Sequence, residues 1–178
     1  MRHIIAVGIL VASSVTVAHA KPPAETDELA KALLGTWKCT GKTSPNGGVT
    51  WEQLATRMMV TRTLDNQWIQ IEGMALVGNQ RARVQMFIGY IAAENKYVRH
   101  TLATDGSYAT ESATLDRAMG GTWGMEWTGD AHTTPSLMYP ASSVRATDKF
   151  SAGVLERTGE VSSDGKAWKP AYDMSCKK

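Results

Sequence analysis

Residues 84–110 read VQMFIGYIAAENKYVRHTLATDGSYAT, and they combine alternating segments with two turn signals. Met86 and Ile88 share one side of an extended segment, because side chains alternate between the two faces of a strand. The turn signals are Glu94-Asn95, which is weak, and Asp105-Gly106, which is strong because both of its residues tolerate positive φ. This segment therefore predicts antiparallel strands that follow one another through short loops.

The chain after Gly35 continues in the same way. Further turn signals are Asn46-Gly47, Asp65-Asn66, Gly78-Asn79, Gly120-Gly121, Gly129-Asp130, Asp148-Lys149 and Asp164-Gly165. The strand candidates lie near residues 35–42, 51–64, 67–76, 81–91, 95–103, 107–114, 121–128, 141–147, 152–162 and 166–176. With almost no room for crossover helices, this pattern of about ten strands predicts an all-β fold, a single antiparallel meander. Pro170 lies inside the last candidate and predicts a bulge or a break in pairing there.

A short helix is predicted before the first strand. Thr26 has the character of an N-cap, Leu29 and Leu33 lie four residues apart on one helix face, and Gly35 ends the run. A helix of roughly two turns is too short to be stable alone, so its leucines must pack on the sheet. We therefore divide the chain into a linker and helix at residues 21–34 and a barrel domain at residues 35–178.

Residues 1–20 have the pattern of a secretory signal peptide. A basic start at Arg2 and His3 precedes a short apolar run, and the segment ends in the small-residue site Ala18-His19-Ala20. The apolar run Ile4 to Ala12 is about half the length that a membrane-spanning helix needs, and no later segment is long and apolar enough to span. We expect a mature bacterial protein that is exported to the periplasm or the exterior, without a membrane span.

The predicted export bears on the state of the two cysteines. An even pair, Cys39 and Cys176, predicts a disulfide in an oxidising compartment, whereas in a cytosolic enzyme both would more often be buried thiols. Both fall on the apolar face of their strands, and these are the first and last strands. Bridged Cα atoms lie within about 7 Å of each other, so a disulfide here requires the meander to close, or nearly close, into a barrel.

Composition limits the classes of function. The 178 residues are enough for one domain, and a 43% hydrophobic, 20% charged chain is not a disordered tail. The formal charge of +2 is too small to indicate a nucleic-acid partner. The sequence does not indicate an oligomeric state.

Three short motifs carry a resemblance to a known family. Leu34-Gly35-Thr36-Trp37 after a short helix resembles the Gly-x-Trp opening of lipocalins and other calycin-type barrels. The segment from Gly89-Tyr90 through residues 95–98 to Asp105-Gly106 is similar to the middle of a bacterial family of exported, lipocalin-like domains of unknown function, and so is the ending at residues 163–168. The resemblance implies a lipocalin-like barrel, but a fold does not fix a ligand.

The leading functional hypothesis is binding of a small apolar or amphipathic molecule inside the barrel. The candidate lining residues are Trp37, Met58, Met86, His100, Trp123, Met125, Trp127, Trp168, Tyr172 and Met174. Met suits irregular or variable ligands, and ten strands enclose more space than eight. The alternative is a structural or interaction protein whose barrel is packed with these side chains and holds no ligand.

Signals for chemistry are few. His100 shares a strand face with Val98 and Leu102, and it is more simply explained as a core or rim residue than as a haem or metal ligand. We therefore expect no metal and no cofactor, with haem as the alternative. No nucleophile or acid–base pair stands out, so an enzyme is not expected and no catalytic residue is assigned.

Overall fold

The computed structural model describes residues 21–116, 123–133 and 140–178. The signal peptide predicted at residues 1–20 and the turn predicted at Gly120-Gly121 lie outside the described residues. Within them the chain forms one α-helix, one 3-10 helix and ten strands.

The helix α1 covers Ala24–Leu33. The strands are β1 (Gly35–Thr43), β2 (Glu52–Thr63), β3 (Trp68–Val77), β4 (Gln80–Ile91), β5 (Lys96–Ala103), β6 (Tyr108–Asp116), β7 (Trp123–His132), β8 (Ser143–Ser151), β9 (Val154–Ser162) and β10 (Lys169–Lys177). The 3-10 helix, Ala92–Glu94, joins β4 to β5.

Each strand pairs in antiparallel fashion with the next one, and β10 pairs with β1 to close the barrel. Cys39 lies directly opposite Cys176 across that closing pair, and the two sulfurs are bonded at 2.04 Å. The predicted meander, its closure and the disulfide are all confirmed. Each of the ten described strands thus pairs on both sides, so none of them offers an edge for pairing with another chain.

Six of the turn predictions agree with the backbone. The residues with positive φ in these turns include Gly47, Asp65, Asn66, Gly78, Asn95, Gly106 and Gly165. Gly129-Asp130 instead lies inside β7, where Gly129 pairs with Glu111 of β6 and a Cβ would overlap the Thr110 carbonyl oxygen. This glycine permits a close approach of two strands. Asp148-Lys149 lies inside β8, and the chain turns at Gly153, where φ is +82°.

The helix α1 closes one end of the barrel. Leu29, Ala30 and Leu33 are almost completely buried and join the interior cluster of the strands. The indole Nε1 of Trp37 donates to the Leu33 carbonyl at 2.6 Å, and the Tyr97 hydroxyl donates to the Glu25 carbonyl at 2.9 Å. We call this the helix end, and the opposite end, which carries the loops at residues 44–51, 104–107 and 163–168, the loop end.

The helix begins earlier than predicted. Pro23 occupies the N-cap position without a side-chain cap hydrogen bond, and Thr26 is buried inside the first turn. Asp27 in that turn forms an ion pair with Arg62 of β2 at 2.8 Å. Among the described residues, no helix combines the length and the apolar character that crossing a membrane requires.

The predicted irregularity at Pro170 is present as a shift in register. Pro170 pairs with Glu160 and Tyr172 pairs with Gly159, so β10 carries one extra residue relative to β9. The shift exchanges the inner and outer faces along the strand. Tyr172 and Met174 therefore face inward, whereas Trp168, before the shift, lies outside under Arg145, whose guanidinium carbon is 4.5 Å from the indole centroid.

Candidate functional site

The interior has two different halves. Next to the helix end, Trp37, Met125 and Trp127 are each 1% exposed and form a solid core with the helix leucines. Toward the loop end lies a cavity of about 180 Å³, which we call the barrel cavity. Its volume is comparable with that of the roughly 150 Å³ apolar cavities that hold a benzene-sized molecule.

Most of the cavity wall is apolar. The side chains come mainly from β2, β3 and β4, with Met174 from β10, and include Leu54, Met58, Ile71, Val77, Val84 and Met86. The small residues Gly73 and Ala75 of β3 line the same wall, and the side chains of Met58 and Thr56 pack closely over Gly73. The wall therefore suits a compact apolar group.

The floor of the cavity, facing the packed half, is charged. Arg99, Glu111 and Arg157 line the cavity, and Asp148 lies beneath them; we call these four residues the charged cluster. Arg99 donates to both carboxylate oxygens of Glu111, from Nε at 2.7 Å and from Nη2 at 2.5 Å. Its Nη1 donates to Asp148 Oδ2 at 3.0 Å.

Asp148 is the shared acceptor of the cluster. Arg157 Nε donates to its Oδ1 at 2.8 Å, and the indole Nε1 of Trp127 donates to its Oδ2 at 3.0 Å. The guanidinium carbon of Arg99 also lies 4.3 Å from the centroid of the Trp127 ring. The cluster thus joins the cavity floor to the packed core by hydrogen bonds.

Burial and charge act against each other at these groups. Burial by itself raises the pKa of Asp148, yet the guanidinium groups of Arg157 and Arg99 hold that pKa below its ordinary value. Burial also lowers the pKa of Arg99, but the adjacent carboxylates of Glu111 and Asp148 outweigh it, and the pKa is raised. Both groups stay ionised in the folded protein at neutral pH.

Tyr172 lies on the inner face beside this floor. Its ring packs across Gly159, where a Cβ would overlap the ring. Burial raises the pKa of Tyr172, although the nearby Arg157 and Arg99 oppose that effect. The phenol therefore keeps its proton at neutral pH and remains a hydrogen-bond donor.

The structure brings together four of the sequence-predicted lining residues. Met58, Met86, Tyr172 and Met174 line the barrel cavity. Trp37, Met125 and Trp127 lie in the packed half, outside the cavity lining. Trp123 lies near the helix end, stacked on Phe150 with ring centroids 4.7 Å apart.

His100 and Trp168 lie on the outer surface, which differs from the prediction. The parity of β5 is set by the pairing of Arg99 with Ile88, both buried, so His100 points to the other side. There it contacts Thr110 Oγ1 at 3.2 Å and lies 6.0 Å from the Trp68 ring. It does not reach the barrel cavity, where a haem ligand of the predicted kind would have to lie.

Sequence reasoning missed the charged cluster entirely. The signal was present on β8, where Val144, Ala146, Asp148 and Phe150 alternate on one face and only Asp148 is charged. An acidic residue in such a row indicates either an outer face or a buried partner. The partners stand on three other strands, so inspecting β8 alone would not have decided between these two cases.

Comparisons with known proteins show the fold. No protein-family model matches the chain, and the search of curated proteins found no match. The structure is similar to the crystal structure of Rv2717c from M. tuberculosis, with a TM-score of 0.70 and 9% sequence identity. The similarity covers 87% of this chain and 98% of that one. The chain therefore shares a closed antiparallel barrel architecture with that protein.

Proposed function

We propose that this protein is a lipocalin-like carrier or sensor that binds a small amphipathic molecule in the barrel cavity. The observation that carries the proposal is the division of the interior, in which one half is packed and the other encloses about 180 Å³ between an apolar wall and a polar floor. Ligand sites combine these features, a mostly apolar lining with a few placed polar groups.

The alternative of a fully packed barrel is supported by the helix end alone. There Trp37, Met125 and Trp127 are buried and packed together. Ala75 lines the cavity from β3, where a larger side chain would fill the space in a barrel that holds no ligand.

We propose binding without catalysis. An acid–base catalyst needs a group that is free to exchange a proton with the substrate. The carboxylate of Glu111, which lines the cavity, is held by two hydrogen bonds from Arg99. A bound molecule should accordingly be recovered unchanged after incubation with the protein.

The binding test uses a variant that fills the cavity. Ala75→Phe places a ring inside the cavity, whereas Met74→Phe, one residue earlier on the outer face, serves as the matched control. Titration with 1-octanol and octanoate, followed by calorimetry and by thermal shift, should give binding to the native and Met74→Phe proteins and none to Ala75→Phe. Absence of binding of both compounds to the native protein would refute the proposal.

We also propose that the protein acts after export, as a mature chain that begins at Lys21. The disulfide between Cys39 and Cys176 supports this, since disulfides persist in oxidising compartments. Intact-mass analysis of the exported protein should show residues 1–20 removed. Retention of these residues in exported protein would overturn the assignment.

A further inference from the structure

Arg157 is the incompletely paired member of the charged cluster. Its side chain is only 5% exposed, and its Nε donates to Asp148. Among the described residues, neither Nη1 nor Nη2 of Arg157 has a hydrogen-bond acceptor, although the side chain lines the cavity. By contrast, all three nitrogens of Arg99 donate to carboxylates. Neither amino group is among the fully enclosed polar atoms without a partner, so both keep access to open space where Arg157 lines the cavity. A bound molecule with a hydrogen-bond acceptor can therefore take their hydrogen bonds there.

A second donor lies next to it. Tyr172 and Arg157 are diagonal neighbours on the inner face of the β9–β10 pair, since Tyr172 pairs with Gly159 and Arg157 pairs with Met174. The Tyr172 hydroxyl also makes no hydrogen bond to a described residue and lines the same cavity. The missing side chain at Gly159 is what lets the tyrosine ring lie in this position.

The charge balance selects the kind of acceptor. The formal charges of two guanidinium and two carboxylate groups cancel within the cluster. Arg99 already has carboxylate partners for its hydrogen bonds. A planar monoanion matches two amino groups of one guanidinium, the geometry of arginine–carboxylate pairs. A phosphate monoester would add about two negative charges beside Glu111 and Asp148, which disfavours it.

We propose that Arg157 and Tyr172 bind the carboxylate of a small amphipathic acid whose apolar body lies against Met58, Met86 and Met174. This inference rests on the proposed function of the barrel cavity as a ligand site. At about 30 Å³ per heavy atom, the cavity accommodates roughly six carbon atoms of the ligand. The remaining carbons of a chain of about eight would extend toward the loop end.

The experiment compares three probes that share one chain and differ in the head group: octanoate, 1-octanol and octyl phosphate. Affinities are measured by calorimetry at neutral pH for the native protein and for Arg157→Met, Arg157→Lys and Tyr172→Phe. Arg145→Met and Tyr108→Phe serve as matched controls, because both residues lie on the outer face and are exposed.

Octanoate should bind more tightly than 1-octanol and octyl phosphate to the native protein. Arg157→Met should weaken octanoate binding by about tenfold to a hundredfold, the range for hydrogen bonds to charged groups, and leave 1-octanol binding unchanged. Tyr172→Phe should weaken octanoate binding by several-fold, and the two control variants should have no effect. Arg157→Lys keeps the positive charge but loses the two neighbouring amino groups of the guanidinium. This variant and Tyr172→Phe still test the proposal if Arg157→Met does not fold.

Equal affinity for octanoate and 1-octanol, or octanoate binding that is insensitive to Arg157→Lys and Tyr172→Phe, would overturn the carboxylate assignment while the cavity remained a ligand site. Preference for octyl phosphate would overturn it in favour of a phosphate head group. If none of the three probes binds to the native protein, the proposed function itself is refuted.

Discussion

Arg99 and Glu111 lie directly opposite each other on β5 and β6, and both point into the barrel, where their side chains are 2% and 3% exposed. They form a bidentate cross-strand ion pair in the interior of an all-β protein. An otherwise similar cross-strand pair, Arg145 and Glu160, lies on the outer face with both side chains more than 40% exposed. The two pairs have the same kind of register and differ in burial, which makes them a natural comparison.

We expect Glu111→Gln to destabilise the protein by about 3–5 kcal/mol, because it leaves the buried charge of Arg99 without its main partner. Glu160→Gln should cost less than about 1 kcal/mol, since water already screens the outer pair. Urea unfolding of the two variants measures both values. The double variant Arg99→Met/Glu111→Leu should regain much of the stability that Glu111→Gln loses. Equal losses of stability in Glu111→Gln and Glu160→Gln would contradict this account.

Removing the disulfide should lower the free energy of unfolding markedly. Cys39 and Cys176 are separated by 137 residues, and the chain-entropy model gives about 5 kcal/mol for a loop of that size. Cys39→Ser/Cys176→Ser should therefore melt at a lower temperature than the native protein under oxidising conditions. Reductant should lower the melting temperature of the native protein alone, and two free thiols in the exported native protein would refute the bond.

Trp127 should contribute to stability more than to direct ligand contact. It is 1% exposed in the packed half, stacks on Arg99 and donates to Asp148. We expect Trp127→Ala to cost about 3–5 kcal/mol, as large-to-small changes of buried tryptophan do. Trp51→Ala, at an exposed ring beside Lys42, should cost no more than about 1 kcal/mol. Comparable melting temperatures for the two variants would show that the interior is not packed as described.

Asp148 should make the protein sensitive to acid. Its folded-state pKa lies below the ordinary value, so its ionised form contributes stability that is complete above the unfolded pKa of about 3.9. That contribution is lost as the pH falls through the folded pKa. Asp148→Asn should be less stable than the native protein at neutral pH. Its stability should fall less than that of the native protein as the pH is lowered below about 5. A native protein and variant with parallel profiles of melting temperature against pH would contradict the prediction.

Local patterns in the chain predict the strands and their order well. Side-chain alternation and turn residues act over a few positions, and the backbone at Asn95 and Gly106 has the positive φ that their turns require. Barrel closure is also predictable, because the inward parity of Cys39 and Cys176 on the first and last strands leaves few other arrangements for a disulfide.

The inner face of β5 could not be predicted in this way. Apolar Val98 and Leu102 alternate with Arg99, so local hydrophobicity assigns the arginine to the outside. A buried guanidinium is stable only with partners, and these come from β6 and β8, 12 and 49 residues away along the chain. The bulge after Pro170 also could not be located from alternation. It places Trp168 and Tyr172 on opposite faces of the barrel wall, although simple alternation places them on the same face.

The position of the cavity depends on the whole barrel. Alternation shows that Met86 and Trp127 both face inward, but it does not show which of them contacts a packed core and which contacts open space. That difference depends on the sum of side-chain volumes at each level of ten strands and on the helix that fills one end. The strand order therefore follows from contacts that are local in sequence, whereas the candidate ligand site follows from volumes and charges that meet only when the barrel closes.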